Sequence, residues 1–195
     1  MNMNFIGVGN KPSAYLMLFH TDAHNFNTED SVWILEADTK INMSGQKIIL
    51  YGVQSHASYN TGSGMKNYGQ IITDANTKAT TSQGVEYDNL TPYQRIIFTT
   101  IDADNGASGQ YMRDFYFINE TTGKIVLNGT SDILANYVTP GGNTTYGTKF
   151  TNDGEIILNG LNSVGIVLSP SVVSLGGAKI TLNNPLKLRG DNTIG

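Results

Sequence analysis

The residue types able to do chemistry are few and loosely spaced. His20-Thr-Asp-Ala-His24 would set His20, Asp22 and His24 on one face of an extended segment. Two imidazoles and a carboxylate suit zinc or a similar ion. No further ligand stands near in sequence, and a polar loop after the apolar run at 15–19 is the simpler reading. Asp102-Ala-Asp104-Asn105-Gly106 has the alternating oxygens of a calcium loop, but an EF-hand would need glutamate at its twelfth position, where Arg113 stands. A plain acidic turn is therefore preferred for Asp102 and Asp104. The carboxylates that a polysaccharide-cleaving fold would pair, Asp102, Asp104, Asp114 and Glu120, fall in turns or alone at strand ends. The histidines are His20, His24 and His56, with no Ser-His-Asp spacing, and cysteine is absent. The expectation is no catalytic residue, no metal site, no cofactor and no enzyme.

What remains is a surface that could bind. The stretch 53–118 holds six of the ten tyrosines, Tyr59, Tyr68, Tyr87, Tyr93, Tyr111 and Tyr116, and two arginines, Arg95 and Arg113. Tyrosine offers a wide, stiff ring with a polar tip, which suits protein and sugar faces alike. Tyr59, Tyr68, Tyr87 and Tyr93 are the candidate contact platforms, and Arg95 and Arg113 the candidate anchors for anionic groups. The competing reading is that the same tyrosines fill a small core of their own. Trp33, inside Val32-Trp-Ile-Leu35, reads as core.

The scaffold that must carry these residues is legible in composition. The 195 residues are 39% hydrophobic yet only 14% charged, well below the usual quarter. Asn, Thr and the 22 glycines make up about a third of the chain. Helix-favouring residues are scarce while Ile, Val, Thr and Tyr abound, which predicts an all-β protein. A net charge of −4 on so thinly charged a chain argues against nucleic acid as partner. No apolar run nears the ~20 residues of a membrane helix. Residues 1–10 lack the basic start and apolar core of a signal peptide.

Internal similarity is the strongest signal. Thr122-Gly-Lys-Ile-Val-Leu-Asn-Gly129 lies over Asp153-Gly-Glu-Ile-Ile-Leu-Asn-Gly160 at an offset of 31, with Val126/Ile157 a conservative change. Pro185-Leu-Lys-Leu-Arg-Gly190 continues the series with Leu186, Leu188 and Gly190 in register, and Lys47-Ile-Ile-Leu-Tyr-Gly52 reads as an upstream copy. Each copy is a short strand with apolar residues two apart, one face buried, closed by glycine. Further short strands are predicted at 131–138, 148–151, 162–168 and 179–182. Three strands per ~30-residue period describe one coil of a parallel β-helix. Ile125, Ile156 and Leu186 would then stack in successive coils, as would Leu127, Leu158 and Leu188. At the Asn128-Gly129 and Asn159-Gly160 corners, both residue types tolerate positive φ and the asparagines can ladder amide to amide. Gly52 and Gly129 are too far apart for regular coils. The expected organisation is N-terminal coils at 1–52, an inserted excursion or small subdomain at 53–118, and regular coils at 119–195. Strands are predicted at 94–101 and 112–118, and part of the latter, 115–118, could belong to the coils themselves.

The segments 152–166 and 183–195, Asn152-Asp-Gly-Glu-Ile-Ile-Leu-Asn-Gly-Leu-Asn-Ser-Val-Gly-Ile166 and Asn183-Asn-Pro-Leu-Lys-Leu-Arg-Gly-Asp-Asn-Thr-Ile-Gly195, resemble the passenger repeats of large type V autotransporter adhesins, those of fusobacteria in particular. The resemblance covers 123–195 and, weakly, 42–52. It implies a right-handed parallel β-helix displayed outside the outer membrane by a translocator not contained in this chain. It also implies a role in attachment and virulence, with a surface glycan or cell-surface protein receptor as partner and a longer parent chain. Two other readings stand beside it: a purely structural spacer, and a polysaccharide-degrading β-helix.

Overall fold

The computed structural model describes residues 1–7, 14–21, 32–45, 48–55, 64–75, 95–100, 111–113, 116–137, 144–146, 148–168 and 178–195. Every regular element among them is a β-strand. The first two are β1 (Asn2–Gly7) and β2 (Ala14–Thr21). Next come β3 (Val32–Leu35), β4 (Lys40–Gly45) and β5 (Ile48–Ser55), then β6 (Gly64–Asn67), β7 (Gln70–Thr73) and β8 (Ile96–Thr100). After β9 (Tyr111–Arg113) follow β10 (Tyr116–Asn119), β11 (Lys124–Leu127) and β12 (Ile133–Tyr137). The last are β13 (Thr144–Tyr146), β14 (Thr148–Asn152), β15 (Glu155–Leu158), β16 (Val164–Leu168), β17 (Ala178–Leu182) and β18 (Lys187–Leu188).

These strands form three large sheets and one small one, and every pairing is parallel. Sheet I has the order β1-β4-β7-β11-β15-β18, sheet II β16-β12-β8-β5-β2 and sheet III β17-β14-β10-β6-β3. Along the chain the strands visit sheets I, II and III in that same order, round after round. β9 and β13 pair with each other alone, between sheets II and III. The central row of sheet I runs Met3, Ile41, Ile71, Ile125, Ile156, so the chain advances 30 residues from Ile41 to Ile71 and 31 from Ile125 to Ile156. Between Ile71 and Ile125 it advances 54.

The predicted stacking of Ile125 on Ile156, and of Leu127 on Leu158 and Leu188, is present. Two expectations change. Lys47–Gly52 does not belong to that row, because Ile48–Ser55 lies in sheet II beside β2 and β8. Period-two aliphatics closed by glycine mark any strand of this stack, and the upstream members of the row are Ile41 and Ile71. Nor is 53–118 a single excursion. Gly64–Asn67, Gln70–Thr73, Ile96–Thr100 and Tyr116–Asn119 are integral strands of sheets III, I, II and III. The extra length lies in the connections 76–94 and 101–115.

The three sheets share one core. Ile41, Ile71, Ile125, Ile156 and Leu158 of sheet I, Phe98 and Leu134 of sheet II, and Met65, Phe117 and Phe150 of sheet III are fully inaccessible and form one cluster. Phe117 and Phe150 stack at 5.6 Å between centroids, and Phe98 meets Phe117 at 5.8 Å from the opposite sheet. Each such side chain contributes roughly 1.5–3 kcal/mol on burial. The expected one-faced alternation breaks in places. Ile97 and Phe98 are consecutive and both buried, as are Leu134 and Ala135, so sheet II is covered on both faces there. In sheet I the alternate row holds Val126 and Ile157, also buried.

Candidate contact surface

The connections differ by corner, and this decides where a partner can be met. From sheet III to sheet I the chain turns in two to four residues at every round. From sheet II to sheet III the connections are 22–31, 56–63, 101–115, 138–147 and 168 to 178, eight residues or more each time. These long connections leave one corner of the stack, round above round. Loops set on a rigid scaffold in this way are where binding groups ordinarily sit.

The short III-to-I corner is held by amides. Asn67 Nδ2 donates to Asn119 Oδ1 at 2.7 Å, Asn119 Nδ2 to Asn152 Oδ1 at 2.8 Å, and Asn152 Nδ2 to the Asn184 carbonyl at 2.7 Å. All three side chains are buried. The ladder is directional, and its first acceptor, Asn67 Oδ1, has no partner because the next residue in that row is Leu35. Beside it runs a glycine column. A Cβ on Gly69, Gly123 or Gly154 would come within 2.4 Å of a carbonyl of the round before.

Tyr68 sits on this corner, half-buried. Its N–H donates to the Leu35 carbonyl at 2.8 Å, and its carbonyl accepts from Thr122 Oγ1 at 2.9 Å. Partial burial, the Glu120 carboxylate that its hydroxyl meets and the more distant Glu36 raise its pKa above the ordinary phenol value. The phenol therefore stays a donor toward Glu120, which also stands 4.0 Å from Lys66 Nζ. Tyr68, Glu120 and Lys66 make a small amphipathic ledge on the corner.

Arg95 lies elsewhere than expected. Its side chain is fully buried, with Nε donating to Asp132 Oδ1 at 2.9 Å and Nη2 to Asp132 Oδ2 at 3.2 Å. Nη1 also reaches the Met43 carbonyl at 3.2 Å and pairs with the Asp74 carboxylate, and Nη2 donates to the Asp74 carbonyl at 2.6 Å. Asp132 in turn accepts from Thr73 Oγ1 at 2.6 Å and from the Gly129 N–H at 3.0 Å. Burial raises the Asp132 pKa, while Arg95, Thr73 and Gly129 pull it back down. As an anchor for an external anion Arg95 is thus corrected: its guanidinium is spent inside the fold. Asp74 and Arg95 flank the connection 76–94, so their pairing closes its base. Asp132 marks this network in the sequence only as an acid after an Asn-Gly corner, where a solvated turn is the default reading.

Tyr116, one of the six clustered tyrosines, is also committed to packing. A Cβ on Gly64 would lie 2.5 Å from a Tyr116 ring carbon, so the ring covers that glycine on the adjoining strand. Arg113 ends β9, paired in register with Tyr146. Tyr59, Tyr87 and Tyr93 lie outside the described residues, as do Asp22, His24, Asp102 and Asp104; His20 is in β2. Among the described residues no group of three or more His, Cys, Asp or Glu stands together, and no helix is long and apolar enough to cross a membrane.

An all-parallel β protein of three sheets, with a ledge on its tight corner and long connections at another, is the class these observations define. Comparison with known proteins finds no matching family model, no matching curated sequence and no matching solved structure.

Proposed function

We propose that the three sheets wrap as a right-handed parallel β-helix, and that the chain is a passenger segment of a bacterial surface adhesin. On this reading the ladders form a rigid stalk outside the outer membrane. The long connections present a surface to a glycan or a cell-surface protein. The observation that carries it is the repeated departure of long connections from one corner of an otherwise tightly stacked scaffold. Tyr59 belongs to one of these connections, 56–63, whereas Tyr87 and Tyr93 belong to the separate connection 76–94 from sheet I to sheet II, and Tyr68 with Glu120 and Lys66 supplies a further contact area. The resemblance of 123–195 to autotransporter passenger repeats supports the surface location.

The test is binding of the purified chain to a combined glycan and cell-surface-protein array. A variant in which 56–63 and 76–94 are each replaced by a short Gly-Ser linker serves as comparison, its β signal checked by circular dichroism. Loss of binding in the folded variant supports recognition through the connections. Binding that survives both replacements and Tyr68→Ala would defeat it.

A spacer role is the second reading, and one observation favours it. Arg95 and Tyr116, two of the residues best suited to contact, are consumed in holding the scaffold. Absence of any binding by the folded chain would favour this role.

A further inference from the structure

The buried network around Arg95 converges on one peptide bond, the one joining Asn128 to Gly129 at the corner after β11. Asp132 Oδ2 accepts the Gly129 N–H at 3.0 Å. Thr73 brackets Asn128: its Oγ1 accepts the Asn128 N–H and its carbonyl accepts from Asn128 Nδ2, both at 2.8 Å. From the next round, Asn159 Nδ2 donates to Asn128 Oδ1 at 2.9 Å. The Arg95 guanidinium lies against Gly129, where a Cβ would collide with Nη2.

In an Asn-Gly pair the glycine nitrogen can attack the preceding carboxamide, because no Cβ hinders the approach. Two things limit that attack: the nitrogen must lose its proton, and the carboxamide oxygen must take up negative charge. Asp132 stands at the first position and the Asn159 amide at the second. Burial raises the Asp132 pKa, which strengthens its carboxylate as a base, while Arg95 Nε and Thr73 Oγ1 fix its orientation. The round above is an internal control. Asn159-Gly160 is the same pair at the same corner, yet the Gly160 N–H donates to the Leu127 carbonyl at 3.0 Å, and Ser163 stands in register with Asp132. Asn159 is exposed and Asn128 half-buried, so exposure alone would rank their reactivity the other way.

We propose that Asn128 is a self-modification site, converted through a succinimide to aspartate and isoaspartate, with Asp132 as the base and Asn159 as the carbonyl donor. Gly129 N bonds to Asn128 Cγ as its proton passes to Asp132. The Cγ–Nδ2 bond then breaks, and Nδ2 leaves as ammonia carrying that proton. Water opens the ring at either carbonyl, and no oxidant or reductant is needed. The product sets a carboxylate against the Thr73 carbonyl, where the amide had donated. It thereby loosens, slowly and irreversibly, the round that Thr73, Arg95 and Asp132 hold. The inference is independent of what the long connections bind.

Peptide mapping by mass spectrometry, after incubation of the chain at neutral pH with and without urea, is the first measurement. In the folded chain Asn128 should convert ahead of Asn159; in urea the two should convert at similar rates. A folded chain in which Asn159 leads, or in which neither changes while the urea sample converts, overturns the proposal. Asn159→Ala alters an exposed position and should slow the conversion of Asn128. Acceleration would mean that loosening of the corner governs the reaction, and would overturn the assigned donor. Asp132→Asn, its fold checked by circular dichroism, should slow Asn128 by roughly 100-fold or more, and an undiminished rate there excludes Asp132 as the base. Should that variant fail to fold, the urea comparison and Asn159→Ala decide the matter.

Discussion

Among the described residues, three carry the backbone's least comfortable conformation. Ser131, Asn162 and Asn192 have φ of 61°, 55° and 55° and stand two positions after Gly129, Gly160 and Gly190. The left-handed turn expected at the Asn-Gly pair is therefore displaced by two residues. The glycines serve close approach instead: a Cβ on Gly160 would lie 1.9 Å from the Gly129 carbonyl oxygen. Asn162→Ala should cost about 1–2 kcal/mol, the penalty of that region for an ordinary side chain, while Asn162→Gly should be close to neutral; urea unfolding distinguishes them. The buried ion pair makes a larger claim. Arg95→Met strands the Asp132 carboxylate in the interior and should cost about 3–5 kcal/mol. Arg95→Met/Asp132→Asn should recover part of that loss, because no uncompensated charge remains. Equal unfolding midpoints for Arg95→Met and the unaltered chain would show that the network contributes nothing.

At the scale of the element, sheet I exposes one charge row that can be titrated. Glu155 lies between Lys124 at 2.8 Å and Lys187 at 2.6 Å, and the hydrogen bonds from these two ammonium groups lower its pKa from 4.5 to about 2. A depressed carboxyl pKa gives stability that is complete above the unfolded value and lost as pH falls toward the folded one. The contribution therefore disappears between 4.5 and about 2, and solvent screening keeps it modest. Thermal melts of Glu155→Gln should run below those of the unaltered chain at pH 6 and converge with them near pH 2. A constant gap across that range would refute the assignment. Ile156→Asp puts a charge into the fully buried row of the same sheet and should abolish the cooperative melt.

The elements also show how far the sequence could be read. Strands β11, β15 and β18, their mutual register and the amide contact of Asn159 Nδ2 with Asn128 Oδ1 at 2.9 Å all follow from a repeat of 30–31 residues. The round at 64–73 lacks the Leu-Asn-Gly ending of its neighbours, with Thr73-Asp-Ala in its place. Its real signal is Asn67-Tyr-Gly-Gln-Ile-Ile72, matching Asn152-Asp-Gly-Glu-Ile-Ile157. Those asparagines and glycines are the ones that build the buried ladder and its close corner. The burial of Arg95 was not legible. Its carboxylate partners, Asp74 and Asp132, lie 21 and 37 residues away, and only the stacking of rounds brings them together.

For the molecule as a whole, the direction of the hydrogen bonds matters more than their number. Three parallel ladders run side by side, with their backbone bonds pointing from round to round. Tension applied between the two ends of the chain would act on these bonds one round at a time, peeling the stack rather than shearing it. Force spectroscopy should then record a series of steps instead of one rupture. Each ~30-residue round would release about 10 nm of chain, at ~3.4 Å per residue. The longer advance between Ile71 and Ile125 should appear as a single larger step. Such a molecule would act as a tether that yields length in portions under load, and the buried Arg95 pairing sits where the largest portion is withheld.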